Sequence, residues 1–175
     1  HHYTPGPAIP DGTTVVQIDS DQHEIGRNFP VAAGLVGAIG PTLEALDAAL
    51  ARVQLPRTDE RAAAEIASDR AAIDAAAQAK YGPAPLDPLA AMHALAAGLP
   101  PDAVVVEEAI TAGIALRSVY RPDRVKSYVH TVGGGLGWGI GAAIGTRLGD
   151  PTRPVVAVLG DGSAMFGLQG LWSAA

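Results

Sequence analysis

The feature that most narrows the fold is a short β-branched run, Pro154-Val-Val-Ala-Val-Leu159, passing directly into Gly160-Asp-Gly-Ser163. Short and bounded by turn residues, the run reads as a buried strand. Beyond the glycines, Phe166, Leu168, Leu171 and Trp172 begin a helical spacing. A strand, a glycine turn and a helix in that order suit a diphosphate. The two glycines let the backbone come close, its amides point outward, and a helix N-terminus favours negative charge. Asp161, in the middle of the turn, can hold a Mg²⁺ ion shared with phosphate oxygens, because that ion takes few carboxylates and leaves its other positions to phosphate and water. The same four residues also read as a plain tight turn, with Asp161 or Ser163 capping the helix. Taken alone, the turn leaves both readings open.

Upstream, the chain alternates strand and helix. Thr13 to Ser20 reads as a strand ending in the acidic turn Asp19-Ser-Asp21, where Asp19 is either a ribose contact or a solvated turn residue. Val31 to Val36 is a second strand. Pro41 to Leu50 is a helix with Leu43, Leu46 and Leu50 on one stripe. Thr58 to Lys80 is alanine-rich with scattered charges of both signs, which predicts an exposed helix. The breakers of Tyr81-Gly-Pro-Ala-Pro-Leu-Asp-Pro88 end it. From Leu89 the pattern restarts. Helices are expected over 89–98, 111–119 (opened by Thr111) and 142–148, with strands over 103–106, 125–130 and 154–159. The expected fold class is therefore α/β, with parallel sheets flanked by helices. Residues 1–55 form part of one domain, 56–88 a helical linker, and 89–175 part of a second domain.

Composition excludes several function classes. Hydrophobic residues make up 48% and charged residues 17%, with alanine and glycine abundant and aromatics at 5%, which suits packed α/β layers better than an all-β sandwich. The net charge of −6, with no basic block, argues against a nucleic-acid partner. Cysteine is absent, which removes disulfides, thiolate metal sites and cysteine nucleophiles together and fits a cytoplasmic protein. No window approaches the ~18 uninterrupted apolar residues of a membrane span, and the first residues lack the regions of a signal peptide. The start at His1-His2-Tyr3 and the stop inside a helical pattern at Ala175 read as the ends of a piece of something longer.

The glycine segment Gly133-Gly-Gly-Leu-Gly-Trp-Gly-Ile-Gly141 contains matches to Gly-x-Gly-x-x-Gly. Such matches come easily where glycine is this frequent. A dinucleotide site also asks for an acidic residue about twenty positions on. Asp161 lies near that distance, but within Gly-Asp-Gly-Ser, where it faces phosphate. The other reading is close helix–sheet packing that needs glycine for space.

Together these pieces resemble the thiamine-diphosphate enzyme family, most closely its benzoylformate decarboxylase branch, over nearly the whole chain. Gly160-Asp-Gly-Ser163 with Leu171-Trp172 looks like the start of the family's diphosphate-binding motif. Gly134-Gly-Leu-Gly-Trp138 with Ala142-Ala-Ile-Gly145 is similar to its glycine-rich segment, and Glu107-Glu-Ala-Ile-Thr111 to its acidic, hydroxyl-bearing strand end. His1-His-Tyr3 with Pro5-Gly6 and Gly12-Thr13 resembles the segment carrying an active-site histidine, although leading histidines are also what cloning leaves behind. The resemblance implies two partial domains, the end of a central α/β domain and the start of the cofactor domain. It implies thiamine diphosphate and Mg²⁺ as cofactors, with Asp161 on the metal, and the Gly162 amide, Ser163 and Thr111 on the diphosphate. Gly134 would accept a hydrogen bond from the aminopyrimidine, Leu136 would support the bent cofactor, and His1 would transfer protons near the substrate. The implied reaction is non-oxidative decarboxylation of a 2-oxo acid through an ylid and an enamine, in a homodimer or homotetramer. The family's cofactor-activating glutamate and the asparagine that completes its metal site have no counterpart in these residues, so this stretch alone is expected to be inactive. An acetolactate-synthase-like carboligase is the alternative within the family, and a non-catalytic dinucleotide-binding module the alternative outside it.

Overall fold

The computed structural model describes residues 8–53 and 60–174, in two compact units spanning residues 1–58 and 59–175. In the first unit, β1 (Val16–Asp19) pairs in parallel with β2 (Ala33–Val36), Val16 opposite Ala33 and Asp19 opposite Val36. The Gln17 side chain staples the intervening loop, donating to the Glu24 carbonyl at 2.7 Å and accepting from the Gly26 amide at 2.8 Å. At Asp19, one carboxylate oxygen accepts the Asp21 amide at 2.9 Å, so that group is engaged in its own turn. Helix α1 (Ile39–Leu50) follows. Its expected stripe of Leu43, Leu46 and Leu50 stays largely exposed, because a two-stranded ribbon offers too little surface to cover a helix face.

The second unit opens with α2 (Glu60–Gln78), which packs on α3 (Pro88–Gly98). The Asp87 carboxylate caps α3, accepting the Leu89 amide at 2.8 Å, and Pro88 occupies the first helical position, where no amide is needed. β3 (Val104–Glu108) leads into α4 (Ile110–Val119), β4 (Tyr128–His130), α5 (Trp138–Gly149) and β5 (Val155–Leu159). The last elements are α6 (Asp161–Gly167) and a 3-10 helix over Leu168–Ala174. The sheet is parallel with order β4-β3-β5, and every residue of β3 is buried.

Strand side chains alternate between faces, and the two faces of this sheet have different partners. Val105, Tyr128, Val156 and Val158 pack with Leu116 of α4 and with Met92 and Leu95 of α3. The other face receives α5, which packs on β3 and β5. At the opposite end of the strands from the glycine turns, the buried Arg153 guanidinium gathers three strands. It donates to the Asp102 carbonyl at 2.7 Å, the Ser127 hydroxyl at 2.6 Å and the Lys126 carbonyl at 3.3 Å.

Four expectations need correction. The run before Gly160 is less buried than its composition suggests. β5 pairs with β3 alone among the described residues, and Ala157 is exposed. The helix after it starts at Asp161 itself, with Gly160 as N-cap and no side-chain cap, so neither Asp161 nor Ser163 plays that part. The expected apolar stripe does not become one long helix either. After Gly167 the chain tightens to 3-10 geometry, which shifts the side-chain spacing, and Phe166, Leu168, Leu171 and Trp172 are all exposed. Likewise α4 begins one residue before Thr111, with Ala109 as N-cap.

Candidate functional site

The carboxyl ends of β3 and β5 lie side by side, and the chain leaves them in different directions. β3 continues through α4 to β4 on one side, while β5 was reached from β4 by crossing to the other side. In open parallel sheets that divergence is where a crevice forms. Here it holds a cavity of about 480 Å³ lined by residues 109–112, Leu136, 159–163 and Phe166. Thr111, Asp161, Gly162 and Ser163 contribute hydroxyls, a carboxylate and backbone. Ile110, Leu136 and Phe166 contribute apolar surface, and all three are substantially exposed. Ser163 is buried, whereas Asp161 and Gly162 are exposed. A Cβ built on Gly162 would meet nothing within 4 Å, so its backbone opens onto free space.

The two glutamates at the end of β3 explain how the walls are held. Neither lines the cavity. Glu107 turns toward α4 and is 1% exposed. Its carboxylate accepts the Ala109 amide at 2.6 Å and the Tyr128 hydroxyl at 2.8 Å, pairs with the Arg117 guanidinium, and lies 3.0 Å from His130 Nδ1. Gly113 makes room for it, since a Cβ there would sit 2.3 Å from Glu107 Oε1. Burial pushes the Tyr128 phenol up to about 12, and the hydrogen bond to Glu107 adds to the shift.

Glu108 turns the other way, onto the first turn of α5. Its carboxylate accepts the Gly137 amide and, at 2.6 Å, the Gly139 amide. This bears directly on the dinucleotide reading of residues 133–141. That reading needs the amides at the start of α5 free for a pyrophosphate. An internal carboxylate already holds them. The glycines serve packing instead. A Cβ on Gly139 would lie 2.6 Å from Leu159 Cδ2 and 2.7 Å from Glu108 Oε2, and Gly137 has φ +92°, a left-handed conformation that favours glycine.

Of the residues singled out from the sequence, Thr111, Leu136, Asp161, Gly162 and Ser163 therefore meet around one cavity. Gly134 lies two residues before Leu136 with φ +68° and is outside the lining. His1 lies outside the described residues. Ala109, Ile110 and Phe166 line the cavity without having been singled out. The first two lie within the strand-end segment Glu107-Glu-Ala-Ile-Thr111, and Phe166 opens the apolar helical spacing after Ser163.

Known proteins resemble this chain along nearly its whole length. Residues 111–175 match the family described as thiamine pyrophosphate enzyme, C-terminal TPP binding domain. The benzoylformate decarboxylase of Pseudomonas aeruginosa is 35% identical over 175 residues, covering 100% of this chain and 31% of the relative. The probable 2-ketoarginine decarboxylase AruI of the same organism is 34% identical over 172 residues, covering 95% of this chain and 29% of the relative. Among solved structures, the thiamine diphosphate-dependent 4-hydroxybenzoylformate decarboxylase of Rhodococcus jostii RHA1 superposes with a TM-score of 0.69 at 31% identity, over 100% of this chain and 31% of that one. The chain thus spans about a third of the length of these relatives. With its parallel sheets, its cavity at the strand ends and these likenesses, the chain resembles thiamine-diphosphate-dependent enzymes along its whole length, and its residues 111–175 match their cofactor-binding domain.

Proposed function

We propose that the protein containing this chain is a thiamine-diphosphate- and Mg²⁺-dependent decarboxylase acting on a 2-oxo acid of the benzoylformate type. The observation that carries the reading is the convergence of Thr111, Leu136 and Asp161–Ser163 on one cavity from three separate stretches of sequence. The donor set fits the cofactor. One carboxylate, two hydroxyls and an unobstructed glycine suit a diphosphate with its metal, and the neighbouring apolar side chains suit rings. Among the described residues there is no cluster of three metal-ligating side chains, which is consistent with an ion completed by phosphate oxygens and water.

In this reading Asp161 would hold Mg²⁺, and the Gly162 amide with the Ser163 and Thr111 hydroxyls would bind diphosphate oxygens. The Gly134 carbonyl would accept from the aminopyrimidine, and Leu136 would support the bent cofactor. When bound, thiamine diphosphate supplies the electron sink that lets a 2-oxo acid lose CO₂. The chain's own groups would bind and orient it, and Ile110, Leu136 and Phe166 would offer apolar surface to its rings. His1 would move protons near the substrate, a task suited to imidazole. The reading carries with it a cytoplasmic homodimer or homotetramer. No helix among the described residues is long and apolar enough to cross a membrane.

The test is CO₂ release from benzoylformate and pyruvate by the full-length protein, with and without thiamine diphosphate and Mg²⁺, alongside calorimetric titration of the cofactor into Asp161→Ala. Cofactor-dependent release, faster with benzoylformate, is expected. The variant should lose metal-dependent binding by about a hundredfold or more, as charge-assisted contacts to the ion disappear. Acetolactate formed from pyruvate without net decarboxylation of benzoylformate would move the protein to the carboligases. Undiminished cofactor binding by Asp161→Ala would overturn the site.

A further inference from the structure

Three bonds from two opposite directions meet on Glu108. Its carboxylate takes the amides of Gly137 and Gly139, and its own carbonyl takes the Gly160 amide at 2.9 Å. Leu136 precedes the first of these glycines and Asp161 follows the last, and both line the cavity. One residue, 5% exposed and itself outside the lining, therefore links the wall that carries Leu136 to the wall that carries Asp161 and Ser163. There is no slack in the link. A Cβ on Gly139 would approach Glu108 Cβ to 2.9 Å, and a Cβ on Gly167 would approach the Gly137 carbonyl oxygen to 2.4 Å, so the start of α5 is pressed between β3 and the end of α6.

We propose that Glu108 is a positioning residue that sets the spacing between these two walls, and through it the fit of the diphosphate and ring portions of the bound cofactor. The identity of that cofactor rests on the function proposed above. The brace itself rests on the geometry. Its chemistry requires a carboxylate. Two N–H groups need two acceptor oxygens, and the amide of glutamine offers one acceptor and one donor. Glu108→Gln keeps the volume and leaves one N–H of the pair facing an NH₂ group. Glu108→Asp keeps the charge and withdraws it by one methylene, beyond reach of both amides together.

The experiment uses the full-length protein and both variants, with amide hydrogen exchange followed by mass spectrometry and thiamine diphosphate titration in the presence of Mg²⁺. In Glu108→Gln, exchange at Gly137 and Gly139 is expected to accelerate about tenfold or more, the scale of a lost hydrogen bond to a charged group. The Arg153 end of the sheet should be unchanged and the cofactor Kd should rise about tenfold. Glu108→Asp should show the same local pattern, which separates geometry from charge. Unchanged exchange at the two glycines in both variants overturns the brace. Acceleration spread evenly through the unit, with a collapsed melting temperature, overturns the positioning role in favour of a general structural one. So does local acceleration with unaltered cofactor affinity. If the unaltered protein binds no thiamine diphosphate, the function proposal has failed, and the exchange measurement alone then decides the brace.

Discussion

Gly167 shows how little room the residues around the cavity have. Its missing Cβ is what lets the Gly137 carbonyl approach, and the clash that alanine would make is with backbone. Gly167→Ala should cost about 1–3 kcal/mol, the usual range for overpacking, and a thermal melt should show it as a fall of several degrees. Gly162→Ala, which meets nothing, is the control and should leave the melt nearly unchanged. At Tyr128 the prediction concerns pH. Its phenol is held protonated up to about 12 against an ordinary value of 10.0. The folded state therefore binds the proton more tightly than the unfolded chain. The corresponding stability is complete below about pH 10 and is lost as the pH rises toward about 12. Denaturant melts between pH 9 and pH 12 should show that decline, and Tyr128→Phe should flatten it. The sequence made the cavity residues legible because they sit in a recognisable motif. It could not make the roles of Glu107 and Glu108 legible. Alternation says that neighbours on a strand diverge, but which helix each one meets depends on the topology.

Secondary elements are legible in the sequence where the pattern is strong and less so where their ends are set by tertiary contacts. The strand β3 and helices α1 and α3 fall close to their expected spans. Helix α5 starts four residues earlier than its alanine-rich stretch suggested, since Glu108 supplies the acceptors that the glycines at its start lack. Mixed charges predict an exposed helix for α2, and residues 62–72 are exposed. In the structure it packs on α3, its Ala77 is fully buried, and Asp74 receives both terminal nitrogens of Arg121 at 3.0 Å. That partner is 47 residues away, so no local pattern announces it. The Arg121 guanidinium holds the Asp74 carboxyl below its ordinary value, so the pairing is present above that value and is lost as the pH falls through the lowered one. Arg121→Ala should accelerate exchange within α2 while leaving β3 protected. At the other end of the sheet, Arg153→Ala removes a donor shared by three strands and leaves the part-buried Asp102 and Lys126 carbonyls and the buried Ser127 hydroxyl without it. A loss of about 2–4 kcal/mol in denaturant unfolding is expected, the cost of a few unsatisfied groups.

At the scale of the molecule, two compact units within 175 residues predict that unfolding is not a single event. The second unit has a three-stranded sheet whose central strand is buried throughout, whereas among the described residues the first has two strands and a helix with no buried residue. Scanning calorimetry of this chain should give a calorimetric enthalpy larger than the van't Hoff enthalpy, with the first unit melting earlier. The α/β class was legible from the alternation of strand and helix. The uneven covering of the two units was not, because apolar stripes report which face seeks cover and not whether cover is available. One arrangement reaches further than the fold itself. Because Glu107 and Glu108 are neighbours on one strand and serve helices on opposite faces, a slip of β3 by a single residue would exchange their destinations and dismantle both at once. The same adjacency lets them be altered separately. For anyone reshaping this pocket, two consecutive codons act as independent set-screws, one for the α4 wall and one for the α5 wall.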